Sequence, residues 1–103
     1  MPRRLNFSKE YKEILVKKEK VTTIRTRPLA MPGERMSVYA GEEKVGDIVV
    51  EKVMEKKVKH LSDLDAHRDG FRSVRQLKKA LKRHYRDLNE EDTVYIHFMR
   101  WVE

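Results

Sequence analysis

Apolar residues at Phe7, Tyr11, Ile14 and Leu15 recur at helical spacing, and Ser8 offers a capping hydroxyl ahead of them. A first helix is expected from Ser8 to about Lys18, with those side chains facing the core. The β-branched run Val21-Thr22-Thr23-Ile24-Arg25 then predicts a short strand. Pro28, Pro32 and Gly33 mark an irregular loop, because proline removes a ladder donor and glycine admits turn geometry. From Arg35 to Ala40, apolar and polar residues alternate as in a strand. Gly41-Glu42-Glu43 is the turn of a hairpin into a long strand over about 44–58, and the alternation slips near Lys52 and Val53, which predicts a bulge.

Ser62-Asp63-Leu64-Asp65 starts a short helix that is expected to stop at Gly70. Ser73-Val74-Arg75-Gln76 reads as a capping box opening a last helix, whose apolar face is Val74, Leu77, Leu81 and Tyr85. The final strand, Thr93 to Val102, is apolar on both faces and is expected to be central and covered on both sides. The order α-β-ββ-α-α-β predicts one α+β domain over residues 1–103, a curved mixed sheet or small β-barrel flanked by helices.

A chain of 103 residues can bury one core without staples. Cysteine is absent, which excludes disulfides, thiol nucleophiles and cysteine-based zinc sites. The four histidines show no ligand spacing, and no metal or other cofactor is expected. Apolar runs are far shorter than the ~20 residues a membrane span needs. The opening Met1-Pro2-Arg3-Arg4 lacks the apolar segment of a signal peptide, so a cytoplasmic location without membrane contact is expected. Charged residues make up 40% of the chain while Gln occurs once, a pattern associated with proteins from hot environments.

The net charge of +7 is concentrated. Residues 73–86 hold six cations (Arg75, Lys78, Lys79, Lys82, Arg83, Arg86) and no acid, whereas the rest of the chain carries 18 basic and 17 acidic groups. The six share one helix face. Either they solubilise that face or they meet a polyanion.

Two other constellations stand out. Lys20, Thr22, Thr23 and Arg25 gather two cations and two hydroxyls on one short strand, as a nucleotide pocket or as a charged edge strand. Strict alternation places Thr23 and Arg25 on one face, and Lys20 joins them only if it lies on the connector before the strand. Asp65 and Asp69, four apart, lie on one face of the short helix; a carboxylate there orients Lys20, or the pair serves only capping and local ion pairs. Phe71 is expected in the core. Aromatics for base stacking are sparse, with Tyr39, Tyr95 and Trp101 as candidates.

With these residues laid out, the chain resembles an ASCH domain of the PUA-like superfamily. The resemblance rests on Lys20-x-x-Thr23-Ile24-Arg25 and on Pro32-Gly33-Glu34-Arg35-Met36-Ser37-Val38-Tyr39. Val45-Gly46, Asp69-Gly70-Phe71 and the closing Phe98-Met99-Arg100-Trp101 extend it over nearly the whole chain, in order. One departure is Lys18, where the family usually has glycine.

The resemblance implies a small β-barrel with a cleft where Lys20, Thr23 and Arg25 meet the Asp69 segment, and RNA or a modified nucleoside as ligand. One branch of the family hydrolyses N4-acetylcytidine with a Lys and a Thr of this strand and a later Glu. Carried over, Thr23 is the nucleophile, Lys20 its base, and Asp69, one methylene shorter than Glu, orients the Lys. The expected function is an RNA-binding module, monomeric or weakly dimeric. Lys20, Thr22, Thr23 and Arg25 line its cleft, and Lys78, Lys82 and Arg83 contact phosphates. The alternative is an amidohydrolase acting on N4-acetylcytidine or a related nucleoside amide.

Overall fold

The computed structural model describes residues 2–102. The expected domain limits at Met1 and Glu103 lie outside the described residues. Five strands form one mixed sheet: β1 (Arg3–Phe7), β2 (Thr22–Arg25), β3 (Arg35–Ala40), β4 (Glu43–Lys57) and β5 (Thr93–Trp101). The helices are α1 (Lys12–Val16), α2 (Asp63–Arg68) and α3 (Val74–His84). The sheet order is β1-β3-β4-β5-β2, with β1 parallel to β3 and the other pairs antiparallel. The α+β curved mixed sheet expected from the sequence is the observed architecture, a curled half-barrel with β1 and β2 as its edges.

Long β4 couples the two ends of the sheet, pairing with β3 over its first half and with β5 over its second. The register shift between Val50 and Lys52 is the predicted bulge, and β5 is central, between β4 and β2. Its cover is uneven: Val94, Ile96, His97 and Met99 are buried, but Tyr95, Phe98 and Trp101 are half-exposed. One core gathers Leu5, Leu15, Val38, Ile48 and Val50 inside the curl. A second packs Leu77 and Leu81 of α3 on Ile24, Val58, Val94 and Ile96. Burying each such side chain contributes about 1.5–3 kcal/mol.

The N-terminus departs from the sequence reading. Phe7 belongs to β1, an element the local pattern did not reveal because its partner β3 lies about thirty residues away. A 3-10 turn over Lys9–Tyr11 precedes the short α1, and Ser8 makes no side-chain cap bond. The helix stops at Val16 in a Schellman turn, with Glu19 N–H donating to Ile14 C=O and Lys18 N–H to Leu15 C=O. Lys18 therefore carries φ +59°. The glycine-like turn is kept, and a lysine holds it under strain. Lys18→Gly is expected to stabilise the fold by about 0.5–1 kcal/mol, the left-handed penalty less glycine's entropy. A urea midpoint that stays put or falls would contradict this.

Two caps also differ from expectation. Ser73 accepts from Gln76 N–H at 3.2 Å, but the Gln76 side chain takes Arg72 N–H at 3.1 Å instead of closing the box on Ser73. The complete capping box is at α2, where Ser62 Oγ accepts from Asp65 N–H and Asp65 accepts from Ser62 N–H. Asp65 also pairs with Lys56 at 2.6 Å, so it is a capping residue, and unlike Asp69 it does not line the cavity beside Lys20.

Candidate nucleotide cleft

Two helix ends deliver the polar core of the site. After the α1 turn the chain runs through Lys20 before β2 begins at Thr22, which places Lys20 on the connector, as its joining the strand's cations required. The α2 end repeats the device: Phe71 N–H bonds Ala66 C=O, Gly70 N–H bonds His67 C=O, and Gly70 carries φ +92°. Asp69 is its cap residue. Lys20 Nζ lies 2.8 Å from Asp69 Oδ2 and donates to the Asp69 carbonyl at 3.0 Å, in a pair with 5% of each side chain exposed. The shorter acid thus still reaches the lysine.

Thr22 is fully buried and donates to Asp69 Oδ1 at 2.8 Å. It holds the carboxylate from behind and does not line the cleft. Burial pushes the Lys20 ammonium below its usual range, opposed by Asp69 and reinforced by Arg25. Its Nζ lies 5.4–5.9 Å from the ring centres of Phe7, Tyr11 and Phe71.

The cleft opens at the seam where β1 and β2 approach without pairing. Arg25 bridges the seam, Nη2 donating to Asn6 C=O at 3.1 Å and Nε to Thr23 Oγ1 at 3.0 Å. Its guanidinium lies 5.2 Å from the Phe7 ring centre, and it forms no ion pair with a carboxylate among the described residues. Behind β2, buried His97 fixes the strand. Its Nδ1–H donates to Thr23 C=O at 3.1 Å, and Nε2 accepts from Leu29 N–H at 3.0 Å. That arrangement needs the neutral ring, and burial lowers its pKa accordingly.

The cavity measures about 230 Å³ and is lined by Lys20, Thr23, Arg25 and Asp69 on the polar side. Phe7, Tyr11, Phe71 and Tyr85 supply aromatic walls, and Leu77, Ala80, Leu81 and His84 of α3 close the far side. This is just under the ~300–1,000 Å³ of drug-sized pockets. Tyr11 Oη lies 3.1 Å from His84 Nε2, and Arg83 pairs with Glu10 at 3.0 Å, joining the α1 segment to α3 near the mouth.

The structure therefore brings Lys20, Thr23, Arg25 and Asp69 together. Lys78, Lys82 and Arg83 are not among the lining residues, and Lys78 is paired with Glu90 at 2.9 Å. Sequence reasoning missed the aromatic walls. Phe71 and Tyr11 pack against the cores as expected but also turn part of their rings to the cavity, whereas Tyr39, Tyr95 and Trp101 do not line it. Asp-Gly-Phe after a helix was the available signal, since the glycine turn aims both neighbours. Among the described residues no cluster of His, Asp or Glu could hold a metal ion, and no helix is long and apolar enough to cross a membrane.

No protein-family model and no curated protein matches the chain in sequence. Solved structures do match in fold. An ASCH domain from Lactobacillus crispatus is 11% identical with a TM-score of 0.81, over 97% of this chain and 80% of that one. An ASCH protein from Zymomonas mobilis is 19% identical with a TM-score of 0.67, over 94% and 65%. A Pyrococcus furiosus protein solved by NMR is 15% identical with a TM-score of 0.66, over 100% and 99%. The curled half-barrel with helices across its open seam is a PUA-like fold. Within that class the chain has the ASCH-domain fold, which bears out the sequence resemblance at the level of architecture.

Proposed function

We propose that this protein is an RNA-binding module whose seam cleft takes one unpaired nucleotide. The observation that carries the reading is Arg25, a cleft-lining guanidinium tied to a hydroxyl and a carbonyl and to no carboxylate. Its remaining donors are free for the acceptor edge of a base or for a phosphate. Aromatic walls suit a flat ring, and stacking contributes about 1–3 kcal/mol per base. Basic α3 supplies the long-range attraction.

The test is a titration of a labelled single-stranded RNA of mixed sequence against salt. A log–log slope of about −2 to −3 is expected for some three neutralised phosphates. Arg25→Ala is expected to weaken binding about tenfold or more. Binding that ignores both salt and Arg25 would sink the proposal.

A second reading is supported by one further observation: the Lys20 amine, pushed toward its neutral form by burial and held by Asp69, shares the cleft with the Thr23 hydroxyl. For an N4-acetylated cytidine, Lys20 takes the Thr23 proton as Oγ attacks the acetyl carbon. The C–N4 bond breaks, the amine leaves with that proton, and water releases acetate from Thr23. Cytidine release that Thr23→Ala abolishes supports this reading; no turnover, or turnover surviving that change, rejects it.

A further inference from the structure

The cations of α3 fall into two sets that the sequence could not separate. Lys78 and Arg83 are neutralised by Glu90 and Glu10. Arg75, Lys79 and Lys82 are exposed and have no ion pair among the described residues, and exposed Arg72 and Arg86 flank them in sequence without one either. At about 100° per residue, the three helical cations fall within an arc of roughly 60°. The cleft-lining residues of the same helix, Leu77, Leu81 and His84, lie on its opposite side.

The helix thus separates two surfaces. Its inner side walls the cavity, and its outer side carries a row of unneutralised charge about 10 Å long. Each of these cations repels its neighbours one turn away, and among the described residues no ion pair offsets that repulsion, Glu90 attracting Lys82 only from beyond ion-pair distance. The two paired cations show that acids were available to this helix, at its edges and not along its outer row.

We propose that this outer row is a second RNA site, independent of the cleft, that binds the phosphate backbone of a double-stranded segment. The inference rests on the RNA-binding reading of the cleft. A rigid row of cations suits double-stranded RNA, whose backbone is fixed and which proteins recognise through shape, phosphates and 2′-hydroxyls. An unpaired nucleotide enters the seam cleft, while paired RNA lies against the far side of α3. Arg75, Lys79 and Lys82 carry this contact. Lys78 and Arg83, already partnered, do not.

The test uses two RNA probes of equal length, a blunt duplex and a single strand, and three variants of the full chain. One is Arg75→Gln with Lys79→Gln and Lys82→Gln, which keeps good helix formers on the helix. The second, Lys17→Gln with Lys57→Gln and Arg100→Gln, removes the same charge from scattered surface positions. The third is Arg25→Ala. The α3 triple is expected to weaken duplex binding about tenfold or more and to flatten its salt slope by about two. The scattered triple and Arg25→Ala should leave duplex binding within about twofold.

Equal losses from the two triples would reduce the effect to net charge and overturn the proposal. Duplex binding that survives the α3 triple would overturn it too, as would duplex binding lost in Arg25→Ala. If the single strand binds and depends on Arg25 while the duplex does not bind, the second site falls and the cleft reading stands. If neither RNA binds, the cleft reading fails and this inference fails with it.

Discussion

Asp69→Ala should cost about 3–5 kcal/mol of stability at neutral pH, because it strands a buried ammonium without its counter-charge. Lys20 and Asp69 sit 2.8 Å apart with almost no solvent, and Thr22 also loses the acceptor for its hydroxyl. In a domain whose total stability is of order 5–15 kcal/mol, that is a large share. The deficit should depend on pH. Lys20 has a folded pKa below its unfolded 10.5, so the unfolded chain holds the proton more tightly between the two values. Stability therefore rises with pH across that window, and the penalty is full below it. Without Asp69 the folded value drops further and the window widens downward. The gap between variant and wild type should narrow as pH is raised toward about 10.

Urea denaturation at two pH values measures this. A companion variant, Lys20→Met with Asp69→Ala, should recover most of the loss, since removing both charges leaves neither stranded. A loss under about 1 kcal/mol in the single variant, unchanged between pH 7 and 9.5, would show that the pair is not a buried ion pair.

Gly70→Ala should be the other costly change, at about 2–3 kcal/mol. Gly70 carries φ +92°, where an L side chain adds about 1–2 kcal/mol of backbone strain. A Cβ there would also stand 2.8 Å from Ile14 Cδ1, which must turn away and loosen the contact between the two helix ends. Gly33 provides the control. It has the same φ of +92° and nothing within 4 Å of where its Cβ would stand, so Gly33→Ala carries the backbone share alone. The difference between the two variants reads out the Ile14 contact. Because Gly70 aims Asp69 and Phe71, its substitution should also weaken ligand binding, which Gly33→Ala should not. Equal melting points for the two would remove the packing share.

Much of the fold was written in local pattern. The alternation at Arg35–Ala40, the slip near Lys52 and the stop at Gly70 each reflect a preference of a few neighbouring residues, and each is found in place. The site was legible in part for the same reason. Lys20, Thr23 and Arg25 are close in sequence, so any strand beginning after Lys20 gathers them.

The remainder depended on distance along the chain. β1 exists because Arg3–Phe7 pairs with a strand about thirty residues on, and five residues of mixed polarity do not announce that. The aromatic walls come from β1, the α1 segment, the α2 turn and the end of α3, which only the curl of the sheet assembles. The basic helix shows the limit most plainly. Spacing put six cations on one face of an expected helix, but α3 ends at His84 and holds five of them, with Arg86 just beyond its cap. Which were neutralised was decided by Glu10 and Glu90, brought from elsewhere in the chain. Sequence determined the helix, its charge and the reactive groups of the strand, since these follow from spacing over a turn or two. Tertiary structure decided which charges remain unpaired and which side of α3 faces the cleft, because both are properties of packed neighbours.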